Sequence, residues 1–351
     1  MKRHLKTVVG VALSLILLGW ALRDVSFSEV MRELRNADPL LFALGIGMAI
    51  LGFGIRAVRW GILLRPLGVP VAFRPRFASV VVGFAANNVL PARIGEFARA
   101  LTLSRITPVT TSAAFATLVV ERIFDATVLV SFLFVTMASA DFPVTGDIGG
   151  IDVRAAARVI AVAMTLVGAV LFVMVVAPRP FVTVAEKVAG PLPERVRRPI
   201  LAALHSFLAG LGVLRSAPLF LMSLGLALFQ WWFTAWAHFA TLRAFGINEV
   251  SFTGALFLQS LISLAVAAPS SPGFFGPFEA SIKIGLGLWG VPADKAVPFA
   301  VGLHLGGFIP VTLMGVYYVA RLNLSWKEVQ HSEEVVEEQV EGPVEPRPEG
   351  A

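Results

Sequence analysis

The chain alternates between long apolar runs and short polar stretches through almost its whole length. Several runs approach about 20 residues, the length that an α-helix needs to cross the apolar core of a bilayer. The pattern predicts an all-α integral membrane protein, a polytopic helical bundle with about six full spans and two broken, re-entrant helix pairs in inverted halves. The predicted full spans are 7–22, 39–60, 112–138, 155–177, 218–242 and 296–320.

Two further apolar regions, 77–103 and 252–290, are interrupted by one shared motif. Pro91 and Pro272 each begin the pattern Pro-x-x-x-Gly-x-Phe. Backbone N–H and C=O groups without hydrogen bonds are tolerated within the membrane only where they contact protein or line a water-filled cavity. Matched interrupted helices in two halves therefore indicate a transporter's binding site. The alternatives are a cytoplasmic loop for the first region and a kinked hydrophobic helix pair for the second.

Basic residues cluster at the N-terminus, after the second span, in the connection 178–217 and after the last span. The positive-inside rule puts all four in the cytoplasm. We therefore predict a multi-pass protein of the cell membrane with both termini cytoplasmic, provided that both broken regions return to the side they entered. The first run resembles a signal peptide, but no small-x-small cleavage site precedes Arg23, which favours a retained helix.

Composition supports this interpretation and narrows the partners. The chain is 56% hydrophobic and 15% charged, whereas a soluble domain carries about 25% charged residues. The net charge of +6 is explained by retained cytoplasmic basic residues, and no nucleic-acid module is present. We divide the chain into a transmembrane domain, 1–326, and an acidic, mostly disordered cytoplasmic tail, 327–351.

The first broken region carries the densest set of polar groups. A helix that begins after proline presents free N–H groups, which attract an anion. Arginine is suited to a phosphate, and asparagine bonds backbone or a headgroup. We predict that this region binds the substrate through Asn87, Asn88, Pro91, Arg93, Gly95, Glu96 and Arg99.

The following span carries Glu121, Arg122 and Asp125 near its middle. Each charge there costs several kcal/mol unless it is paired or hydrated. Glu121 and Asp125 share a helix face, Arg122 can pair with Asp125, and Glu121 is then free for Arg93 or Arg99. We predict a polar cavity wall, with a proton site as one use of it. The alternative is a structural knot of ion pairs.

The second broken region is more apolar, which suits a site that borders acyl chains. Its predicted substrate-binding residues are Pro272, Gly273, Gly276 and Glu279. Outside the two regions, we interpret Arg56, Arg59 and Trp60 as an anchor at the membrane interface. The alternative interpretation is a contact with a phosphate. We interpret His304 as a buried, hydrogen-bonded histidine. The alternative interpretation is a proton relay.

Several kinds of chemistry lack a sequence motif. There is no cysteine and no Gly-x-x-x-x-Gly-Lys-Ser/Thr motif for ATP. The five histidines form no metal pair at helical spacing. We therefore predict no cofactor, no metal and no catalytic residue.

Three motifs together resemble the lysylphosphatidylglycerol synthase transmembrane, or flippase-like domain, family. They are the Asn-Asn-x-Leu-Pro-x-Arg-x-Gly-Glu-x-x-Arg run, the Glu-Arg-x-x-Asp run and the Pro-Gly-x-x-Gly-x-x-Glu run. The resemblance implies re-entrant hairpins in inverted halves. In multidomain relatives such a domain moves an aminoacylated phospholipid between leaflets, beside a soluble aminoacyl-transferase domain. These 351 residues hold no such domain, so we do not expect lipid aminoacylation.

The leading hypothesis is an ATP-independent translocase for an anionic, phosphate-bearing lipid of phospholipid or polyprenyl-phosphate type. The second is an intramembrane lipid-modifying transferase with Glu121 or Asp125 as general base. The third is a non-catalytic membrane partner of an envelope-lipid enzyme.

Overall fold

The computed structural model describes residues 2–90, 94–139, 141–143, 147–148, 151–152, 183, 216–267, 270–332 and 334–335. The architecture is helical, with one antiparallel pair of two-residue strands, β1 (Asp147–Ile148) and β2 (Ile151–Asp152). The helices are α1 (Lys2–Leu22), α2 (Phe27–Asn36), α3 (Pro39–Leu64), α4 (Phe73–Val89), α5 (Gly95–Ile106), α6 (Thr111–Met137), α7 (Ala217–Ala244), α8 (Phe252–Ala265), α9 (Pro277–Gly287), α10 (Ala293–Arg321) and α11 (Trp326–Gln330).

Three described helices, α3, α7 and α10, are long and apolar enough to cross a membrane. A fourth span results if α1 and α2, bent by 72° at their junction, count as one. The predicted number of six is therefore not confirmed. Helix α6 is also long enough, with 27 residues, but it carries three charged residues near its middle and therefore differs in composition from the three apolar helices. The predicted span 155–177 and connection 178–217 lie outside the described residues, apart from Thr183, Ser216 and Ala217.

Local signals explain where the helices start. Asp38 precedes Pro39, and its Oδ1 accepts hydrogen bonds from the backbone N–H groups of Leu40 and Leu41 at 2.9 Å. Proline at the first helical position and an aspartate before it are a strong N-terminal combination. Thr110 caps α6 and Ser251 caps α8 in a similar manner.

The chain repeats one four-element unit. Helix α3, the pair α4–α5 and helix α6 form the first unit, and α7, the pair α8–α9 and α10 form the second. Each packing contact in one unit has a counterpart in the other: α3 with α4 and α7 with α8, α5 with α6 and α9 with α10. The units meet where α3 packs along α7, and each pair packs against the other unit's last helix.

Both predicted breaks are present. Helix α4 ends at Val89 and α5 begins at Gly95, where the two helices pack closely. A Cβ on Gly83 would lie 2.6 Å from the Gly95 carbonyl oxygen, so only glycine permits this approach. In the second unit, a 3₁₀ turn (Pro272–Phe274) separates α8 from α9. Gly273 and Gly276 there adopt φ of +71° and +98°, values that favour glycine.

Helix α11 extends the folded part past residue 326. Val329 is buried against Ala86 and Ala98, with Trp326 packed beside it. The described residues continue only to 332 and 334–335, so the division into a domain and a tail stays a prediction.

Candidate functional site

Helices α3, α5 and α6 bring five charged side chains together inside the protein. Arg56 and Arg59 lie three residues apart on α3, and Glu121 and Asp125 lie four apart on α6. Each spacing puts its two residues on one helix face. Arg99 reaches the same point from α5. All five are at most 5% exposed, so the group, here named the arginine cluster, depends on its own pairing for charge compensation.

The pairing within the arginine cluster is dense. Arg99 holds Glu121 with two parallel hydrogen bonds of 2.8 and 2.9 Å, the bidentate geometry that arginine favours. Arg56 Nη1 donates to Glu121 at 2.7 Å and to Asp125 at 3.2 Å. Arg59 Nη1 donates to Asp125 at 2.6 Å.

Arg122 marks the outer edge of the arginine cluster, since its side chain is 43% exposed. Its Nη2 lies 3.1 Å from Glu121 and 3.4 Å from Asp125, and its Nη1 lies 4.0 Å from Glu96. Four guanidinium groups thus face the two buried carboxylates. Even with Glu96 included, the positive charges outnumber the negative ones.

Not every guanidinium donor has an acceptor. Among the described residues, Nε of Arg59 and Nε of Arg99 are buried without a hydrogen-bond partner, and Nη2 of Arg59 lies 3.2 Å from Glu121 Oε1 in an ion pair without hydrogen-bond geometry. Aromatic rings cover part of the charge, because the Arg99 guanidinium lies 4.0 Å above the Trp60 ring. Trp231 donates to Asp125 Oδ1 at 2.9 Å. The cluster is therefore short of acceptors rather than of donors.

The first break is tied to its surroundings by asparagines. Asn87 Oδ1 accepts a hydrogen bond from the Gly95 backbone N–H at 2.8 Å, which satisfies one free group at the start of α5. Asn88 Nδ2 donates to Thr312 Oγ1 on α10 at 2.8 Å. Pro91 and Arg93, predicted to bind the substrate, lie outside the described residues.

The second break is built around a buried pair, Glu279 and His304. His304 Nδ1 lies 2.5 Å from Glu279 Oε1, and its Nε2 lies 2.8 Å from the Gly273 carbonyl oxygen. Glu279 Oε2 accepts from the Gly276 backbone N–H at 2.7 Å. Pro272 begins the 3₁₀ turn that presents the Gly273 carbonyl.

The carbonyl partner fixes the proton count of this pair. A carbonyl oxygen only accepts, so Nε2 of His304 carries a hydrogen. The 2.5 Å contact between Nδ1 and Oε1 then contains one proton, whichever of the two atoms holds it. The pair is neutral overall, in contrast to the arginine cluster.

A cavity of about 270 Å³ lies between the two breaks. Its walls come from α3, α4, α7, α8, α10 and the second break, and are mostly apolar. Arg56 of the arginine cluster, Asn88 of the first break and His304 of the second pair all line it. Of the residues predicted to bind the substrate, Asn88 lines this cavity, whereas Pro272, Gly273, Gly276 and Glu279 are not among its lining residues.

The structure resolves several predicted contacts. The pairing of Arg122 with Asp125 and of Arg99 with Glu121 is confirmed, as is the buried, hydrogen-bonded state of His304. The interpretation of Arg56 and Arg59 as interface anchors is wrong, because both are buried against the carboxylates of α6. Whether any of these side chains binds a substrate stays a prediction.

Sequence reasoning missed the polar residues of α7 and α8 that line the cavity. Gln230 and Gln259 are single polar positions in apolar helices, and isolated glutamines in predicted spans are a signal that we did not use. Within the described residues, no three side chains of the metal-binding types lie close enough to hold an ion.

Comparison with known proteins gives one family and several relatives. Residues 7–315 match the model described as the lysylphosphatidylglycerol synthase TM region. A UPF0104 membrane protein of Methanothermobacter thermautotrophicus is 24% identical over 329 residues, which cover 91% of this chain and 93% of that protein.

Two further relatives match over shorter stretches. A UPF0104 membrane protein of Methanocaldococcus jannaschii is 29% identical over 144 residues, 40% of this chain and 42% of that protein. Glycosyltransferase AglD of Haloferax volcanii is 29% identical over 123 residues, 35% of this chain and 20% of that protein. These two alignments span less than half of each relative. No solved structure matches the chain significantly.

Proposed function

The chain belongs to the lysylphosphatidylglycerol synthase transmembrane family, since the match extends over residues 7–315, and from this premise we propose that it translocates a lipid with an anionic, phosphate-bearing headgroup. The lipid is of phospholipid or polyprenyl-phosphate type. The sequence holds no P-loop, so ATP hydrolysis by this chain is not part of the proposal.

The surplus of positive charge in the arginine cluster carries the proposal. A purely structural knot is most stable when its charges balance and its donors are satisfied. Here the guanidinium groups outnumber the carboxylates, and Arg59 and Arg99 keep buried donors without acceptors. A phosphate oxygen supplies both the missing acceptor and the missing negative charge.

The position of the cluster suits a path for a headgroup. Arg122 and Glu96 form its exposed edge, whereas Arg56 lines the cavity. In this proposal a phosphate enters at Arg122 and passes to the cavity along successive guanidinium groups. In this scheme Arg93 and the start of α5 assist at the first break, and the apolar second break borders the acyl chains.

We propose that both broken pairs, α4–α5 and α8–α9, are re-entrant and that the two units are inverted. The repeated contact pattern of the units supports this, because inverted repeats with broken helices are a common transporter architecture. The basic stretches then put both termini in the cytoplasm.

The proposal is tested with Arg99→Ala and the matched control Arg105→Ala in proteoliposomes. Both arginines lie on α5, but the Arg105 side chain is 54% exposed and bonds Glu328. The proteoliposomes contain fluorescent phosphatidylglycerol in both leaflets, and a quencher that cannot cross the membrane is added outside. The fraction of fluorescence that is lost with time reports how much lipid has moved from the inner to the outer leaflet. We expect Arg99→Ala to slow translocation at least tenfold, because it removes a buried phosphate-binding group, while Arg105→Ala stays within about twofold of wild type.

Two results would contradict the proposal. One is equal translocation by wild type and by liposomes without protein. The other is normal translocation by an Arg99→Ala protein that is monodisperse and fully inserted, since the cluster would then be structural only.

The similarity to glycosyltransferase AglD favours a second function, a membrane partner for an enzyme that acts on an envelope lipid. The alignment covers 20% of that protein, so most of it lies outside the shared stretch. Under this hypothesis the chain assembles with a separate enzyme and moves no lipid itself. Affinity purification of an intact complex from native membranes, together with wild-type complex formation by Arg99→Ala, would favour it.

A further inference from the structure

The cavity between the two breaks holds a second set of polar groups, apart from the arginine cluster. Gln230 and His238 of α7 and Gln259 of α8 all line it. None was among the predicted site residues. They are only 2%, 7% and 4% exposed, so their polar atoms are removed from bulk water.

Each of these three side chains keeps a buried atom without a partner. The atoms are Oε1 of Gln230, Oε1 of Gln259 and Nδ1 of His238. A buried polar atom left unpaired costs about 1–3 kcal/mol, and such atoms are rare in native proteins. Because the three atoms surround one cavity, a single molecule bound there, in place of water, can supply all of their partners.

The orientation of the Gln259 amide follows from its neighbour. Ser263 Oγ donates to the Gln259 backbone carbonyl at 2.8 Å, so its single hydrogen is used. The hydroxyl can therefore only accept from Gln259 Nε2, which lies 2.9 Å away. This assigns Nε2 and leaves Oε1 as a free acceptor, which requires a donor on the ligand.

The polar groups form a stripe rather than a single point. Gln230, Thr234 and His238 recur every four residues along α7, so they lie on one face over about 12 Å. Gln259 and Ser263 face the same cavity from α8. A stripe of this length accommodates several donors in a row, as a polyol or a sugar provides.

Charge excludes a cationic donor. Among the residues that the structure describes, the cavity is lined by one arginine, Arg56, and by no aspartate or glutamate, and His304 belongs to the neutral pair with Glu279. The Glu279 carboxylate is already engaged by His304 and the Gly276 N–H. An ammonium group, such as that of an aminoacyl ester, would meet positive charge without compensation. Neutral donors, of which hydroxyl groups are the commonest in lipid headgroups, fit this lining.

We propose that this cavity binds the hydroxyl groups of a neutral polyol or sugar headgroup, with Gln230 and Gln259 as acceptors. The inference deepens the proposed function, on which it rests: the arginine cluster takes the phosphate and the cavity takes the group esterified to it. The substrate is then a hydroxyl-bearing phospholipid, not an aminoacylated one.

Binding of matched lipids to the purified full chain in mild detergent tests this. Phosphatidylmethanol, phosphatidylglycerol and phosphatidylinositol carry the same single negative charge and differ in hydroxyl groups. Dissociation constants are measured by competition against a labelled phosphatidylglycerol. We expect phosphatidylinositol to bind at least about tenfold more tightly than phosphatidylmethanol, because each hydroxyl satisfies a buried acceptor.

Variants separate the cavity from the arginine cluster. Gln230→Leu with Gln259→Leu should reduce the ratio of the two constants to about 1 and leave phosphatidylmethanol binding unchanged. Ser223→Ala is the matched control, since Ser223 on α7 also keeps a buried unpaired oxygen but does not line the cavity. It should keep the wild-type ratio.

The outcomes distinguish the hydroxyl site from the translocase proposal. The comparison of the three lipids uses the wild-type protein, so it does not depend on whether a variant folds. Equal affinity of wild type for the three lipids, with all three weakened by Arg99→Ala, overturns the hydroxyl site and leaves the translocase proposal intact. Tighter binding of lysyl-phosphatidylglycerol than of phosphatidylinositol also overturns the hydroxyl site. Binding of none of the lipids, together with an inactive wild-type protein in the translocation assay, overturns both.

Discussion

In the first unit Arg99 of α5 meets Glu121 of α6, and in the second Glu279 of α9 meets His304 of α10. The positions correspond, because Glu121 is the eleventh of 27 residues in α6 and His304 the twelfth of 29 in α10. The base lies on the short helix in the first unit and on the long helix in the second. Each unit therefore pairs an acid and a base between its short helix and the first half of its long helix, with their order exchanged.

The surroundings of the two pairs differ more than the pairs themselves. Arg56 and Arg59 add to the first pair, which leaves it with surplus positive charge. The second pair is packed between Phe275 and Phe278, whose ring centroids lie 4.6 and 4.2 Å from that of His304. One site is suited to a charged group and the other to a neutral surface, although the backbone arrangement is shared.

The largest expected effect comes from the charge in the first unit. Glu121→Gln leaves Arg56 and Arg59 with Asp125 as their buried carboxylate and removes the carboxylate that pairs with Arg99. Removing one member of a buried ion pair costs about 3–5 kcal/mol. We expect that loss in the free energy of unfolding, measured by titration with sodium dodecyl sulfate in mixed micelles.

Glu96→Gln serves as the control, because the Glu96 side chain is 33% exposed and 4.0 Å from its partner. It should cost less than about 1 kcal/mol. A similar loss for both variants would mean that burial does not distinguish the arginine cluster from an ordinary surface pair.

An intermediate effect is expected from the backbone of the second break. Gly276→Ala puts a side chain at a φ of +98° and against the backbone of Ser14 and Leu18 in α1. We expect a loss of about 2–3 kcal/mol from strain and displacement together. Thermal unfolding in detergent measures it.

Gly68→Ala separates the two causes. Gly68 has a φ of +72°, and a Cβ there meets nothing within 4 Å. It should therefore show only the strain, about 1 kcal/mol. Equal losses at the two glycines would rule out a tight contact between α1 and the second break.

The smallest effect is expected at the second pair itself. In Glu279→Gln the amide can donate to Nδ1 of His304 and still accept from the Gly276 N–H, so both existing bonds have a replacement. We expect a loss of about 1 kcal/mol or less in the same micelle titration. A loss as large as that of Glu121→Gln would mean that His304 holds the proton, and that the second pair, although neutral overall, is stabilised by ionic attraction as the first pair is.

The breaks and the helix ends were predictable because their causes are local. Proline cannot continue a helix, and α4 ends at Val89 and α5 begins at Gly95, within a few residues of position 91. Asp38 and Pro39 likewise predict the start of α3, because the two residues directly precede and begin the helix.

The role of Arg56 and Arg59 was not predictable from local sequence. An arginine near a tryptophan at a helix end looks alike whether it faces headgroups or protein, and the deciding partners lie 65 and more residues away on α6. The same holds for Gln230 and Gln259. Only the packing of α7 and α8 around one space shows that their polar atoms lack partners.

The shared proton at His304 has a consequence for the response to voltage. An electric field across the membrane does work on net charge that moves, about 2.3 kcal/mol per elementary charge for 100 mV. The Glu279–His304 pair is neutral whichever atom holds the proton, so a movement of the pair as a whole carries no net charge across the field. Under the proposed function, a response to membrane potential then arises from the guanidinium groups of the first unit, the bound headgroup and Lys283 of α9, and not from the Glu279–His304 pair.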